Sequence, residues 1–126
     1  MASAEQEIRQ TLATMFDQWN REDQKGYMQH YWQSDDMRWS MKGVWYKGWS
    51  SMNRIYGADY PKGAMGITAL FDIEVQILAD DLGIALYTWT HDTPRENVAG
   101  CTSQVFRKID GAWRVINENS ARVPAQ

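Results

Sequence analysis

Val105-Phe106-Arg107-Lys108-Ile109-Asp110-Gly111-Ala112-Trp113-Arg114-Val115-Ile116 reads as a β-hairpin with its turn spelled out. Asp-Gly supplies the two positive-φ residues of a type I′ turn, whose twist matches the flanking strands. A two-residue loop sets the register. Lys108 faces Trp113, Phe106 faces Val115, Gln104 faces Asn117, and Thr102 faces Asn119. One face of this ribbon starts apolar and becomes a row of neutral amides and hydroxyls. A cavity lined by that row would offer hydrogen-bond donors and acceptors but no acid or base.

Upstream, Gly83 to Asp92 reads as the preceding strand and Thr93 to Asn97, with Pro94, as the loop between. Extending the pairing from the Asp-Gly turn sets Ile84, Leu86, Thr88 and Thr90 beside Phe106, Gln104, Thr102 and Gly100. Tyr87, Trp89, Cys101, Val105, Ile116 and Ala121 then fall on the outer face, with His91 at a strand end there. From Ile67 to Ile77 the odd positions are apolar and alternate with Asp72, Glu74 and Gln76, the pattern of a sheet with one covered face. Asp80-Asp81 makes the turn that follows.

The first half is helical. Ser3 with Gln6 is a capping-box start, and Ile8, Leu12, Met15, Phe16 and Trp19 share one stripe that ends near Asn20-Arg21. Asp23 caps a short second helix carrying Tyr27, Met28, Tyr31 and Trp32. Met37 to Tyr46 is a small hairpin turning at Lys42-Gly43. Gly48 to Tyr60 is a third helix, broken by Pro61, Gly63 and Gly66. Helices first and long antiparallel strands last make an α+β plan: three N-terminal helices packed on a curved, mainly antiparallel sheet.

Composition bounds the function. At 126 residues the chain is one domain, spanning 1–126. A net charge of -3, with no run of like charge, gives no field for nucleic acid or an anionic membrane. The N-terminal stretch has no apolar signal core, and no stretch is long enough to span a bilayer. Cys101 is the only cysteine, which fits a reducing cytoplasm. With His30, His91 and one cysteine in no clustered spacing, no metal and no cofactor is expected.

Asn20, Asp23 and Gly26, spaced N-x-x-D-x-x-G between the first two helices, begin a resemblance. Tyr31 to Trp39 (YWQSDDMRW), Gly48-Trp49 and Val105 to Ser120 (VFRKIDGAWRVINENS) continue it. The chain resembles the NTF2-like superfamily, and within it the SnoaL-like and DUF4440 domains related to ketosteroid isomerase. The resemblance implies a cone-shaped, cystatin-like fold whose open end admits a small, mostly apolar molecule, often in a homodimer through the outer sheet face. This scaffold hosts isomerases, cyclases, dehydratases, hydrolases and non-catalytic association domains. By the same resemblance the isomerase's oxyanion tyrosine falls near Met15, its catalytic aspartate near Met41 and its second acid near Gln104, and none of these can do that job. Where SnoaL-like chains commonly carry His-x-His, this one has Asn117-Glu118-Asn119. Where they often carry Ser-Gly-Gly, it has Met41-Lys42-Gly43.

The expected ligand-binding set is therefore Trp39, Met41, Thr88, Thr102, Gln104, Asn117 and Asn119, with Met15, Trp19 and Tyr56 from the helices. The catalytic residues are unassigned. Lys42 and Lys47 flank Trp45 and Tyr46; a turn lysine is ordinarily solvated, and in an apolar pocket it could form a Schiff base. Tyr87, Trp89, Val105 and Ile116 form the expected homodimer face. Two readings stay open: an enzyme acting on a small apolar metabolite, or a non-catalytic or re-engineered scaffold that binds one.

Overall fold

The computed structural model describes residues 1–124. Helices α1 (Ala4–Asn20), α2 (Gln24–Met28) and α3 (Trp49–Asp59) are joined by six strands. These are β1 (Arg38–Met41), β2 (Val44–Lys47), β3 (Ile67–Ala79), β4 (Leu82–Asp92), β5 (Asn97–Ile109) and β6 (Ala112–Pro124). They form one sheet in the order β2-β1-β6-β5-β4-β3. Every pair is antiparallel except β1 beside β6. The helices lie against one face, so the α+β plan holds.

Local chemistry accounts for the element ends. Ser3 Oγ accepts from the Gln6 N–H while the Gln6 side chain accepts from the Ser3 N–H, which satisfies two otherwise orphaned donors. Ile8, Leu12, Met15 and Trp19 are the buried stripe of α1. Asn20 ties the end of that helix to β3: its Nδ2 donates to Thr68 O at 3.0 Å, and its Oδ1 accepts from Thr68 N–H at 2.8 Å. Asp23 caps α2 by accepting from the Gly26 N–H at 2.9 Å. The N-x-x-D-x-x-G spacing thus has a structural task, clamping one helix and starting the next. Asp110 (φ 50°) and Gly111 (φ 83°) form the turn expected of Asp-Gly.

The sheet departs from strict alternation at three places: one near the end of β3 between Ile77 and Ala79, and two that bear on the site. In β3, Phe71 pairs with Thr88 but Glu74 pairs with Leu86, so two residues of β3 stand against Tyr87. Asp72, at φ 54°, is where the strand kinks. Ahead of it Thr68 and Leu70 are half-buried while Ile67 and Phe71 are exposed; beyond it Ile73 and Val75 turn inward. The expected run of covered odd positions therefore changes face midway. In β6, Phe106 pairs with Val115 but Val105 pairs with Asn117, which leaves Ile116 as the extra residue. Gln104 then stands opposite Glu118, not Asn117, and Thr102 opposite Ser120, not Asn119.

The β4–β5 register also lies one residue from the expected one. Ala85 pairs with Gln104, Tyr87 with Thr102 and Trp89 with Gly100. Tyr87, Trp89 and His91 consequently face the helices, and Thr88 faces out. The reason is steric. Helix α1 crosses β4 so closely that a Cβ on Gly83 would meet Ile8 Cδ1 at 2.7 Å. Only Gly83 and Ala85 fit beneath it, so their parity is the inward one.

Asp72 occupies the left-handed region, which a β-branched residue strongly disfavours. Asp72→Val should destabilise by about 1–2 kcal/mol although the site is exposed, whereas Asp72→Gly should be neutral or slightly stabilising. Urea unfolding of the two variants measures the contrast. Equal behaviour would show that the bulge does not depend on that backbone conformation.

Candidate functional site

Between the helices and the sheet lies a cavity of about 110 Å³. Helix α1 supplies Phe16 and Trp19, α2 supplies Tyr27, and α3 with its following residue supplies Tyr56 and Tyr60. Strand β4 contributes Tyr87, Trp89 and His91. Polar lining comes from Ser40, Thr68, Thr102, Glu118 and Ser120, and Met41 closes one side.

The chemical centre is Glu118, only 4% exposed. Its Oε1 accepts from Tyr31 Oη at 2.6 Å and from Gln104 Nε2 at 2.6 Å. Tyr31's proton is committed to Glu118, so at 3.0 Å the Tyr27 hydroxyl donates to Tyr31. A proton-ordered chain therefore runs Tyr27 to Tyr31 to Glu118, with Gln104 held from the other side. Glu118 Oε2 takes no hydrogen bond from the described residues. It is not sealed off as the partnerless Gln104 Oε1 is, so it is the oxygen that meets the cavity. Burial pushes the Glu118 carboxyl above the ordinary carboxylate range, and the bonds from Tyr31 and Gln104 draw it part of the way back. Burial, with the nearby Glu118 charge, raises the phenols of Tyr27, Tyr31, Tyr56 and Tyr87, so all four stay neutral.

The indole and imidazole donors are spent. Trp19 Nε1 donates to Met65 O at 3.1 Å, and His91 Nε2 donates to the same carbonyl at 2.6 Å. Trp89 Nε1 donates to Thr102 Oγ1 at 2.9 Å, and Thr102 is bonded to Ser120 Oγ at 2.8 Å. The rings meet at steep angles: Trp19 with Tyr27 at 65°, Trp19 with Tyr60 at 70°, and Tyr56 with Tyr60 at 83°.

The expected site residues divide. Met41, Thr102, Trp19 and Tyr56 line the cavity. Gln104 lies beneath it, wholly buried, holding Glu118. Met15 and Trp39 are core: Trp39 stacks on Tyr46 at 4.5 Å and its indole donates to Ser51 Oγ. Thr88 is exposed on the outer face, bonded to Phe71 O. Asn117 pairs with the outward Val105, and exposed Asn119 accepts from Ser40 Oγ at 2.6 Å. Both asparagines leave the pocket set because the β6 bulge turns Glu118 inward between them. The expectation of a cavity without an acid is overturned by the same residue. His91, expected at the surface, is buried against Trp19 and Tyr60. Lys42 and Lys47 are exposed and lie outside the cavity. One signal in the sequence could have found the inner face of β4: Gly83, Ala85, Tyr87 and Trp89 grow steadily in size, as a wedge-shaped gap requires.

Among the described residues no group of three or more His, Cys, Asp or Glu side chains could hold a metal ion. No helix there is long and apolar enough to cross a membrane.

No protein-family model matches the chain, and no curated protein does. Solved structures do. An NTF2-like protein of unknown function from Shewanella oneidensis is 27% identical, with 90% of this chain and 95% of that one aligned at a TM-score of 0.85. An NTF2-like protein from Pseudomonas putida is 21% identical, covering 94% and 85% at 0.79. An NTF2-like superfamily protein from Salmonella enterica is 20% identical, covering 96% and 91% at 0.76. A Caulobacter vibrioides protein described as having a cystatin-like fold superposes at 0.75 with 18% identity over 93% and 87%. The fold is that of the NTF2-like, cystatin-like proteins.

The raised Glu118 pKa fixes the sign of a stability effect. The folded state holds this proton more tightly than the unfolded chain does. The contribution is fully present below the unfolded pKa, about 4.3, and is lost as pH rises through the folded value. Glu118→Gln is neutral throughout. It should melt close to wild type near pH 4 and above wild type near pH 8, by about 4 °C for each kcal/mol. Thermal melts at the two pH values measure this. A variant equally destabilised at both would show that burial is not the controlling term.

Proposed function

We propose that the chain is a small-molecule enzyme of the SnoaL-like and ketosteroid isomerase-like kind, acting on a small, largely apolar metabolite through Glu118. The observation that carries this reading is the divided Glu118 carboxyl: one oxygen held by Tyr31 and Gln104, the other free toward an aromatic cavity. A carboxyl raised by burial is a stronger base than an exposed one and is suited to take and return a proton. At about 110 Å³ the cavity is smaller than the void of about 150 Å³ that holds benzene, which limits an enclosed guest to a single small ring or a short branched chain. The arrangement differs from that of ketosteroid isomerase, because Met15, Met41 and Gln104 stand at its three functional positions and the acid comes from β6.

Cyclohexanone in D₂O tests the chemistry. Glu118 Oε2 would take a proton from the α-carbon as the enolate forms, exchange it with solvent, and return a deuteron. Wild type should exchange the α-protons faster than buffer, and Glu118→Gln should lose about 10²–10⁴ of that rate. Exchange no faster than buffer would move the reading to a non-catalytic binding domain, whose occupancy Trp19 and Trp89 would report by fluorescence.

The proposal includes a homodimer through the outer sheet face, in a cytoplasmic setting that suits the lone Cys101. The surface is corrected by the register: Tyr87 and Trp89 point inward, while Val105 and Ile116 remain outside with Ile84, Leu86 and Phe71. Phe71 is 49% exposed, and the rows Phe71–Thr88–Cys101–Ala121 and Gln76–Ile84–Val105–Asn117 carry no charge. Sedimentation should give twice the chain mass of 14.6 kDa, and Val105→Glu should halve it. A monomeric wild type overturns the dimer.

A further inference from the structure

We infer that the ligand of this cavity is a small organic cation, an alkylated ammonium group enclosed by the aromatic walls with Glu118 as its counter-ion. The inference rests on the reading that this cavity is the ligand site, and it names the charge and class of the occupant.

Three observations converge. The first is Glu118 itself: 96% of it is shielded, and among the described residues it forms no salt bridge. The groups facing it are Tyr31 after α2, Tyr27 on α2, Gln104 on β5, and the Tyr56 and Tyr87 rings, all neutral. No lysine or arginine is among the described lining residues, and His91, on β4, is the one basic side chain there. A buried carboxylate without a counter-charge is costly, and a cation entering from solvent removes that cost.

The second is the walls. Trp19, Tyr27, Tyr56, Tyr60, Tyr87 and Trp89 border one small space, and several of these rings stand nearly perpendicular to one another. Perpendicular rings surround a guest on several sides, and a ring face attracts cations through its quadrupole. The third is that both indole N–H groups are bonded elsewhere, to Met65 O and Thr102 Oγ1. The tryptophans therefore offer a guest ring surface, not a donor. Without free N–H donors or a basic lining residue beyond His91, an anion would meet only neutral hydroxyl donors such as Tyr56 and Tyr60, beside a carboxyl of its own sign. An alkylated ammonium group, apolar over its surface and positive in charge, matches both the rings and the carboxyl.

Choline chloride and 3,3-dimethylbutan-1-ol have the same shape and differ in charge, so the pair isolates the inference. Tryptophan fluorescence titrations at low ionic strength, with sodium chloride as the salt control, should show choline binding at least tenfold more tightly than the alcohol. Glu118→Gln should abolish that preference. Tyr60→Leu, which removes one ring at the half-buried edge, should weaken choline more than the alcohol, and it keeps the test decisive if the Glu118 variant fails to fold. Equal or tighter binding of the alcohol would overturn the cation and leave the pocket reading standing. Binding of neither probe by folded wild type would overturn both.

Discussion

A carboxyl group taken out of water must be given partners, and the partners of Glu118 set much of the architecture around it. Tyr31 can reach Glu118 only because the chain after α2 is pinned to β6. Trp32 N–H donates to Val115 O, and Val115 N–H donates to His30 O, both at 2.9 Å. The same docking lays β1 parallel to β6 and sets Trp39 beside Glu118. Gln104 approaches from β5. A single buried acid thus joins the α2 segment, β1, β5 and β6 at one point, and the Tyr27–Tyr31 pair extends the link into the helical layer.

The second determinant is the taper between α1 and β4. Ile8 presses on Gly83, Phe16 meets Tyr87 at 6.0 Å, and Trp19 meets His91 at 5.8 Å. The spacing between helix and strand grows along both, and aromatic rings of increasing reach fill it. Edge-to-face pairs of this kind contribute about 0.5–1.5 kcal/mol each beyond their burial, so the walls are held by one another as well as by the core. Rigid walls around a small void favour a guest of defined shape over an adaptable one.

How much was legible beforehand follows from which physical signals are local. The Asp110-Gly111 turn, the Ser3–Gln6 box and the Lys42-Gly43 reversal are written in adjacent residues, and they place the elements correctly. The fold class follows from their order. The site was only partly readable, because a period of two carries a face assignment along a strand only until a bulge intervenes. Asp72 and Ile116 each shift that phase, and nothing in a short polar-apolar pattern announces it. The amide row was split by two causes: the Ile116 bulge turned Asn117 and Asn119 out, the one-residue β4–β5 offset turned Thr88 out, and Thr102 and Gln104 stayed inside. Two clues were present all the same. Val115-Ile116 puts apolar residues side by side where alternation calls for one, and the β4 series from Gly83 to Trp89 increases in size along its inner face.

The Ile116 bulge also makes the interior chemistry sensitive to the register of one strand. Asn117, Glu118 and Asn119 are three consecutive residues of which the sheet admits one kind at a time. Loss of Ile116 would remove the bulge and still leave Glu118 opposite Gln104, whereas ironing out the bulge with every residue kept would set Asn117 opposite Gln104 and bring amides inward in place of the carboxyl. The lining can therefore change between ionisable and neutral through a one-residue slip of β6 on β5, with no change in the residues themselves.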